Sequence, residues 1–195
     1  MSETPSGLTA GIFGKLPSRG DFVRSGLPAD FVAAWDEWAQ RMLVYTRAVL
    51  EDRWEAAWLD APAWRFAMPP GSCGAGAAIG VMLPSVDRVG RYFPLAVAAV
   101  STSSLAELSS RADDFLDRVE QAGREAVGGE VSPENLSERV GAALAEASQP
   151  ADTAVLEAGW WTEGTPDFAP VFCGVVGLPD AKFCVRLLED AEPGS

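Results

Sequence analysis

Apolar positions along the chain follow two different periods. Phe31, Trp35, Trp38, Met42, Tyr45 and Val49 are spaced by alternating steps of four and three, which predicts one helix with a continuous apolar stripe to about Leu50. Gly26-Leu27-Pro28-Ala29-Asp30 opens it, with Pro28 suited to a first turn and Asp30 facing the positive end of the dipole. Trp54 and Trp58 mark a second short amphipathic piece before Pro62. Elsewhere the period is two, or the run is unbroken. Thr9 to Leu16 reads as a first strand ended by Pro17, and Ala63 to Met68 alternates, with Trp64, Phe66 and Met68 on one face and Arg65 on the other. Ala77 to Leu83 and Phe93 to Val100 are apolar throughout and of strand length.

The second half returns to helices. Ser104-Leu105-Ala106-Glu107 has capping-box spacing and opens a helix predicted to reach about Val127, where Gly128-Gly129 stops it. Ser132-Pro133-Glu134 opens the next, with Leu136, Val140 and Leu144 inward and Gln149-Pro150 as its end. Strands follow over Ala154 to Trp161 and Pro170 to Val176. Gly177-Leu178-Pro179-Asp180 then repeats the helix-opening chemistry of residues 26–30 before a last helix carrying Phe183, Leu187 and Leu188.

Three strands joined without an intervening helix argue for antiparallel pairing, with helices on the faces. The expected fold is α/β (α+β), a single-domain sandwich with a largely antiparallel central sheet covered by helices. One domain over residues 9–190 is expected, with a flexible start at 1–8 and frayed residues at 191–195. The aromatic stripe is then core. Pro69 to Gly76 is glycine-rich but lacks the Gly-Lys-Ser/Thr ending of a phosphate loop, and reads as a flexible connection between strands.

Composition narrows the chemistry. Among 195 residues there is no histidine, which excludes Ser-His-Asp and Cys-His catalysis and histidine metal ligands. Cys73, Cys173 and Cys184 show no metal or disulfide spacing and suit a reducing compartment. The net charge is -13, and it sits in the second half: residues 1–100 hold nine Lys/Arg against ten Asp/Glu, and residues 101–195 hold six against eighteen. Such a chain repels phosphate backbones and anionic membrane surfaces, so nucleic-acid binding is not expected. No apolar run approaches the eighteen or so residues of a membrane span, so no membrane insertion is expected and the location expected is the cytoplasm. No cofactor is expected.

The candidate chemistry lies in Pro84-Ser-Val-Asp-Arg-Val-Gly-Arg-Tyr-Phe-Pro94, a two-proline connection carrying Asp87, Arg88 and Arg91 between two core strands. Ser18-Arg19-Gly20-Asp21 is a second charged turn. Two readings stand: an exposed functional loop, or a turn in which Asp87 satisfies amides and the arginines brace it. The Arg19-Gly20-Asp21 triplet carries no weight as an adhesion motif in a cytoplasmic chain.

Gly14-Lys-Leu-Pro-Ser-Arg-Gly-Asp-Phe22, the Pro84 to Pro94 stretch and Ala61-Pro-Ala-Trp-Arg-Phe66 together resemble the TagF family of bacterial type VI secretion accessory proteins, as do Trp160-Trp161 and Gly177 to Asp180. The resemblance spans almost the whole chain. It implies a non-enzymatic, post-translational repressor of type VI secretion that acts on a cytoplasmic forkhead-associated (FHA) scaffold protein. Some members carry a fused PP2C-type phosphatase domain, for which 195 residues leave no room, so no phosphatase chemistry is carried over. Arg19, Asp21, Asp87, Arg88 and Arg91 are the candidate partner-binding residues. The alternative is a small enzyme or ligand-binding domain in which Asp87, Arg88 and Arg91 converge on an anionic ligand.

Overall fold

The computed structural model describes residues 7–147 and 155–189. Seven strands form one sheet: β1 (Leu8–Gly14), β2 (Val23–Ser25), β3 (Trp64–Met68), β4 (Ala77–Leu83), β5 (Leu95–Ser101), β6 (Gly159–Thr162) and β7 (Val171–Cys173). Their order is β2-β1-β5-β4-β3-β6-β7, and every neighbouring pair is antiparallel. The helices α1 (Ala29–Leu50), α2 (Trp54–Asp60) and α6 (Ala181–Arg186) cover one face; α3 (Leu105–Ser109), α4 (Ala112–Val127) and α5 (Pro133–Glu146) cover the other.

The sequence pattern explains the layers. Central strands β4 and β5 are buried at every position, as their unbroken apolar runs require of strands covered on both sides. One core lies under α1, where Trp35 packs on Phe31, Trp38, Phe66 and Trp160. The other lies under α4 and α5 and joins Ile12, Ile79, Val81 and Val97 to Phe115, Val119, Leu136 and Val140. In β3, Trp64, Phe66 and Met68 join the first core while Arg65 crosses to α4, bonding Glu120 at 2.7 Å and Asp117 at 2.8 Å.

Several local expectations shift. The α1 stripe turns after Met42: Thr46 and Leu50 are buried in place of Tyr45 and Val49. Thr46 is accommodated because its hydroxyl donates to Met42 O at 2.8 Å and accepts from Trp54 Nε1 at 2.8 Å. Ser104 makes no side-chain cap; Ser101 Oγ instead receives the Ser103 amide at 3.0 Å and donates to Glu107. The helix expected from Ser104 to Val127 is two, broken at Ser110-Arg111.

Strand β1 stops at Gly14, ahead of the predicted Leu16. There φ is +148°, and a Cβ would stand 2.4 Å from Pro94 O, so the chain peels off the sheet at a point only glycine fits. The Pro69–Gly76 connection is anchored rather than loose: Asp30 accepts the Ala75 amide at 2.7 Å as well as its own helix's Phe31 amide at 2.9 Å. In α5, Ala143 takes the buried place expected of Leu144. The sixth and seventh strands are shorter than predicted, and the expected features at Gln149-Pro150, Ala154 and both chain ends lie outside the described residues.

Candidate functional site

Because β1 pairs with β5 and β5 with β4, the β1–β2 and β4–β5 connections leave the sheet at the same end, where Phe13 stands opposite Ala96 and Leu83 opposite Leu95. The two charged loops therefore meet, and hydrogen bonds to the backbone carbonyls of the first loop join them. Ser85 Oγ donates to Lys15 O at 2.7 Å, the Arg88 amide donates to Arg19 O at 2.9 Å, and the Arg91 guanidinium donates to Gly20 O. Trp58 reaches in from α2 to donate to Ser85 O at 3.2 Å.

Asp87 is the centre of this junction. Its side chain is fully enclosed, and its Oδ2 accepts from Lys15 Nζ at 3.0 Å and from Arg91 Nε at 2.7 Å. Its Oδ1 accepts the Val89 and Arg91 amides at 3.0 and 2.9 Å, while the Asp87 amide donates back to Arg91 O at 3.0 Å. Gly90, at φ +84°, lets the chain turn tightly enough to close this ring. Burial by itself would raise the Asp87 pKa; the Arg91 amide, the Lys15 ammonium and the Arg91 guanidinium outweigh it and hold the carboxyl far below the ordinary carboxylate range. Lys15 also lies 5.2 Å from the centroid of Phe22, which stacks on Phe13 and meets Phe93 edge-on.

The five predicted residues thus divide. Asp87 points inward, and Arg91 braces it while remaining half-exposed, with Asp21 at 3.9 Å. Arg19, Asp21 and Arg88 line an open cleft of about 810 Å³ between β2 and the start of α5, together with Phe22, Arg24, Glu134 and Glu138. Arg19 pairs with Glu134 at 2.5 Å, whereas Arg88 has no ion pair among the described residues. Asp87, Arg88 and Arg91 do not converge on a ligand space. Asp87 has both oxygens occupied and no exposed surface, so it cannot act there as a base.

Lys15, Phe22 and Arg24 belong to the same surface and its support, although charge patterning did not single them out. Lys15 carried a signal in hindsight, as one of only two lysines and the one inside the first loop motif. Glu134 and Glu138 carried none, because only the packing of α5 against β1 brings them alongside residues more than a hundred positions away. Among the described residues no cluster of three or more His, Cys, Asp or Glu side chains is placed to hold a metal ion, and no helix is long and apolar enough to cross a membrane.

Residues 11–143 match the TagF N-terminal domain, type VI secretion system-associated, a span that contains both loops and the whole cleft. The chain belongs to the TagF family. The chain is similar to the crystal structure of PA0076 from Pseudomonas aeruginosa PAO1, with a TM-score of 0.80, 29% sequence identity, and coverage of 95% of this chain and 96% of that one. A comparison with curated proteins gives no match. This TagF-family protein is associated with type VI secretion, and its two loop motifs form a single structural unit.

Proposed function

We propose that this TagF-family protein is a non-enzymatic, post-translational repressor of type VI secretion. It acts in the cytoplasm by binding a forkhead-associated (FHA) scaffold protein, and its contact surface is the cleft rim of Arg19, Asp21 and Arg88, held in place by Asp87 and Arg91. One observation carries the assignment of surface: a buried Lys15–Asp87 pair locks two distant loops together while leaving Arg88 and the half-exposed Phe22 facing outward. Arginine and aromatic side chains on a rigid support are the composition of binding hot spots, because little conformational freedom is lost on contact. The type VI association of the family supports the system, and the resemblance supplies the FHA scaffold as the partner.

The test is charge reversal at Arg19 and Arg88, both exposed. The R19E/R88E protein is expected to keep its circular dichroism and to melt within about 2 °C of wild type, since exposed pairs contribute little. Its capture of the FHA scaffold should fall at least tenfold, and a deletion strain carrying it should secrete as if unrepressed. A folded variant that still binds the scaffold and still represses places the contact surface elsewhere.

A further inference from the structure

Ion pairs in this protein are of two kinds. Arg65 and Glu120 meet at 2.7 Å with side chains only 12% and 10% exposed, and Arg65 makes a second bond to Asp117. Arg19 and Glu134 are different. One contact joins them, Nη2 to Oε1 at 2.5 Å, and their side chains are 50% and 66% exposed. This pair crosses the cleft from the first loop to the first turn of α5, between residues 115 positions apart. We infer that Glu134 is a built-in competitor for the partner-binding arginine: it occupies Arg19 in the free protein, and a carboxylate of the partner protein takes its place.

Neither end of the pair needs the other to hold its place. The Arg19 amide donates to Leu16 O at 3.0 Å and Arg19 O accepts the Arg88 amide at 2.9 Å, so the loop junction fixes the Arg19 backbone. Glu134 follows Pro133, which is buried in the first turn of α5, and Ser132 caps that turn by accepting the Asn135 amide at 3.2 Å. The Glu134 amide and Ser132 also stabilise the Glu134 charge, as the positive end of a helix does for a carboxylate in its first turn. Opening the pair therefore neither displaces a loop nor strands an anion. Glu138, four residues on, lines the same cleft; it is the like charge Glu134 faces once Arg19 leaves, and it favours the closed pair in the free protein. Glu134 also shows which group Arg19 takes. A partner carboxylate offers the same charge-assisted hydrogen bond, so binding is an exchange in which one exposed pair opens and another closes inside the interface. Apparent affinity scales with the fraction of molecules whose Arg19 is free. Glu134 thereby determines selectivity, because a carboxylate placed no better than its own gains nothing from Arg19. The inference rests on Arg19 belonging to the partner-binding surface, and it adds what the partner must displace there.

The experiment titrates the intact protein over immobilised FHA scaffold and compares wild type with Glu134→Gln, Arg19→Ala and the double variant. Glu134→Gln should bind about two- to fivefold more tightly, the range set by opening one exposed ion pair. Arg19→Ala should bind more weakly, and adding Glu134→Gln to it should change nothing further, because a competitor acts only through the group it occupies. A second measurement follows the Glu134 carboxylate by carbon NMR in the intact protein. Its titration should lie below the ordinary glutamate range in the free protein and move up both in Arg19→Ala and on addition of the scaffold. Glu134→Gln binding no more tightly than wild type overturns the competition. So does equal tightening in the presence and absence of Arg19, which would report only the removal of a negative charge, or a Glu134 titration that the scaffold leaves unmoved. The R19E/R88E variant separates this idea from the one beneath it. Capture lost in R19E/R88E with no tightening in Glu134→Gln removes the competitor and keeps the surface. Capture unchanged in R19E/R88E removes the surface itself.

Discussion

Replacing Asp87 by Asn tests what joins the two loops. The amide keeps an oxygen for the Val89 and Arg91 amides, but turns an NH2 towards Lys15 Nζ and Arg91 Nε, where donors then face donors. Lys15, only 6% exposed, loses its counter-ion inside the protein. Removing one partner of a buried pair costs about 3–5 kcal/mol, because the remaining charge stays desolvated and uncompensated. For a chain of this size that corresponds to a fall in Tm of roughly 6–20 °C. Lys15→Met should cost less, since Asp87 retains Arg91 and two amides. The double variant should cost less than the two single costs together, by about 1–3 kcal/mol of coupling. Urea unfolding followed by the fluorescence of the seven tryptophans gives all four corners of the cycle. The same series carries a pH signature. The folded carboxyl titrates far below the unfolded value of about 3.9, so its contribution is complete above about pH 5 and fades as acid protonates it towards its depressed folded pKa. Wild type and D87N should therefore converge in stability as pH falls below about 4. A D87N protein within about 1 kcal/mol of wild type at pH 7, or a cycle with no coupling, would refute the buried pair as the joint.

Other outcomes follow from single residues. Glu51 is the one non-glycine residue at positive φ among those described, at φ 48° and ψ -123°; Glu51→Gly should raise stability by about 1 kcal/mol in thermal melts, strain relief exceeding the glycine entropy cost. Gly14→Ala should lower it by roughly 2–4 kcal/mol, because the new methyl meets Pro94 O and the φ of +148° is strained for alanine; denaturant titration reads this. Burial pushes the Cys73 and Cys184 thiols up to about 12, so at pH 8 both should resist a thiol reagent until the protein unfolds, with Cys173 reacting first. Ser132→Ala removes the hydroxyl that accepts the Asn135 amide at 3.2 Å, and should cost about 1 kcal/mol in the same melts.

Much of the fold was legible because hydrophobic period is a local property. The four-and-three spacing around Trp35 and Trp38 predicted a helix, the alternation of Trp64, Phe66 and Met68 a strand with Arg65 on its other face, and the unbroken runs of β4 and β5 two core strands. Where the reading slipped, a polar side chain found a hydrogen bond that the apolar period does not encode. Thr46 entered the core because Trp54 bonds its hydroxyl, and Ser101 displaced Ser104 as the group satisfying the start of α3. The site was legible as two charged loops, and Asp87 turned inward as one of the two readings of its loop required. The roles within it were not legible, because Lys15 lies 72 positions from Asp87 and no local pattern encodes that pairing.

The sequence alone determined the class of protein: an acidic, histidine-free chain with two apolar periods, and two motifs that resemble the TagF family. Periodicity, turn chemistry and composition are carried by neighbours in the chain, so they survive without coordinates. Tertiary structure decided that the two motifs are one object. Only the strand order β1-β5-β4 brings residues 15–21 against residues 85–91, and only burial turns Asp87 into a joint while leaving Arg88 on the surface.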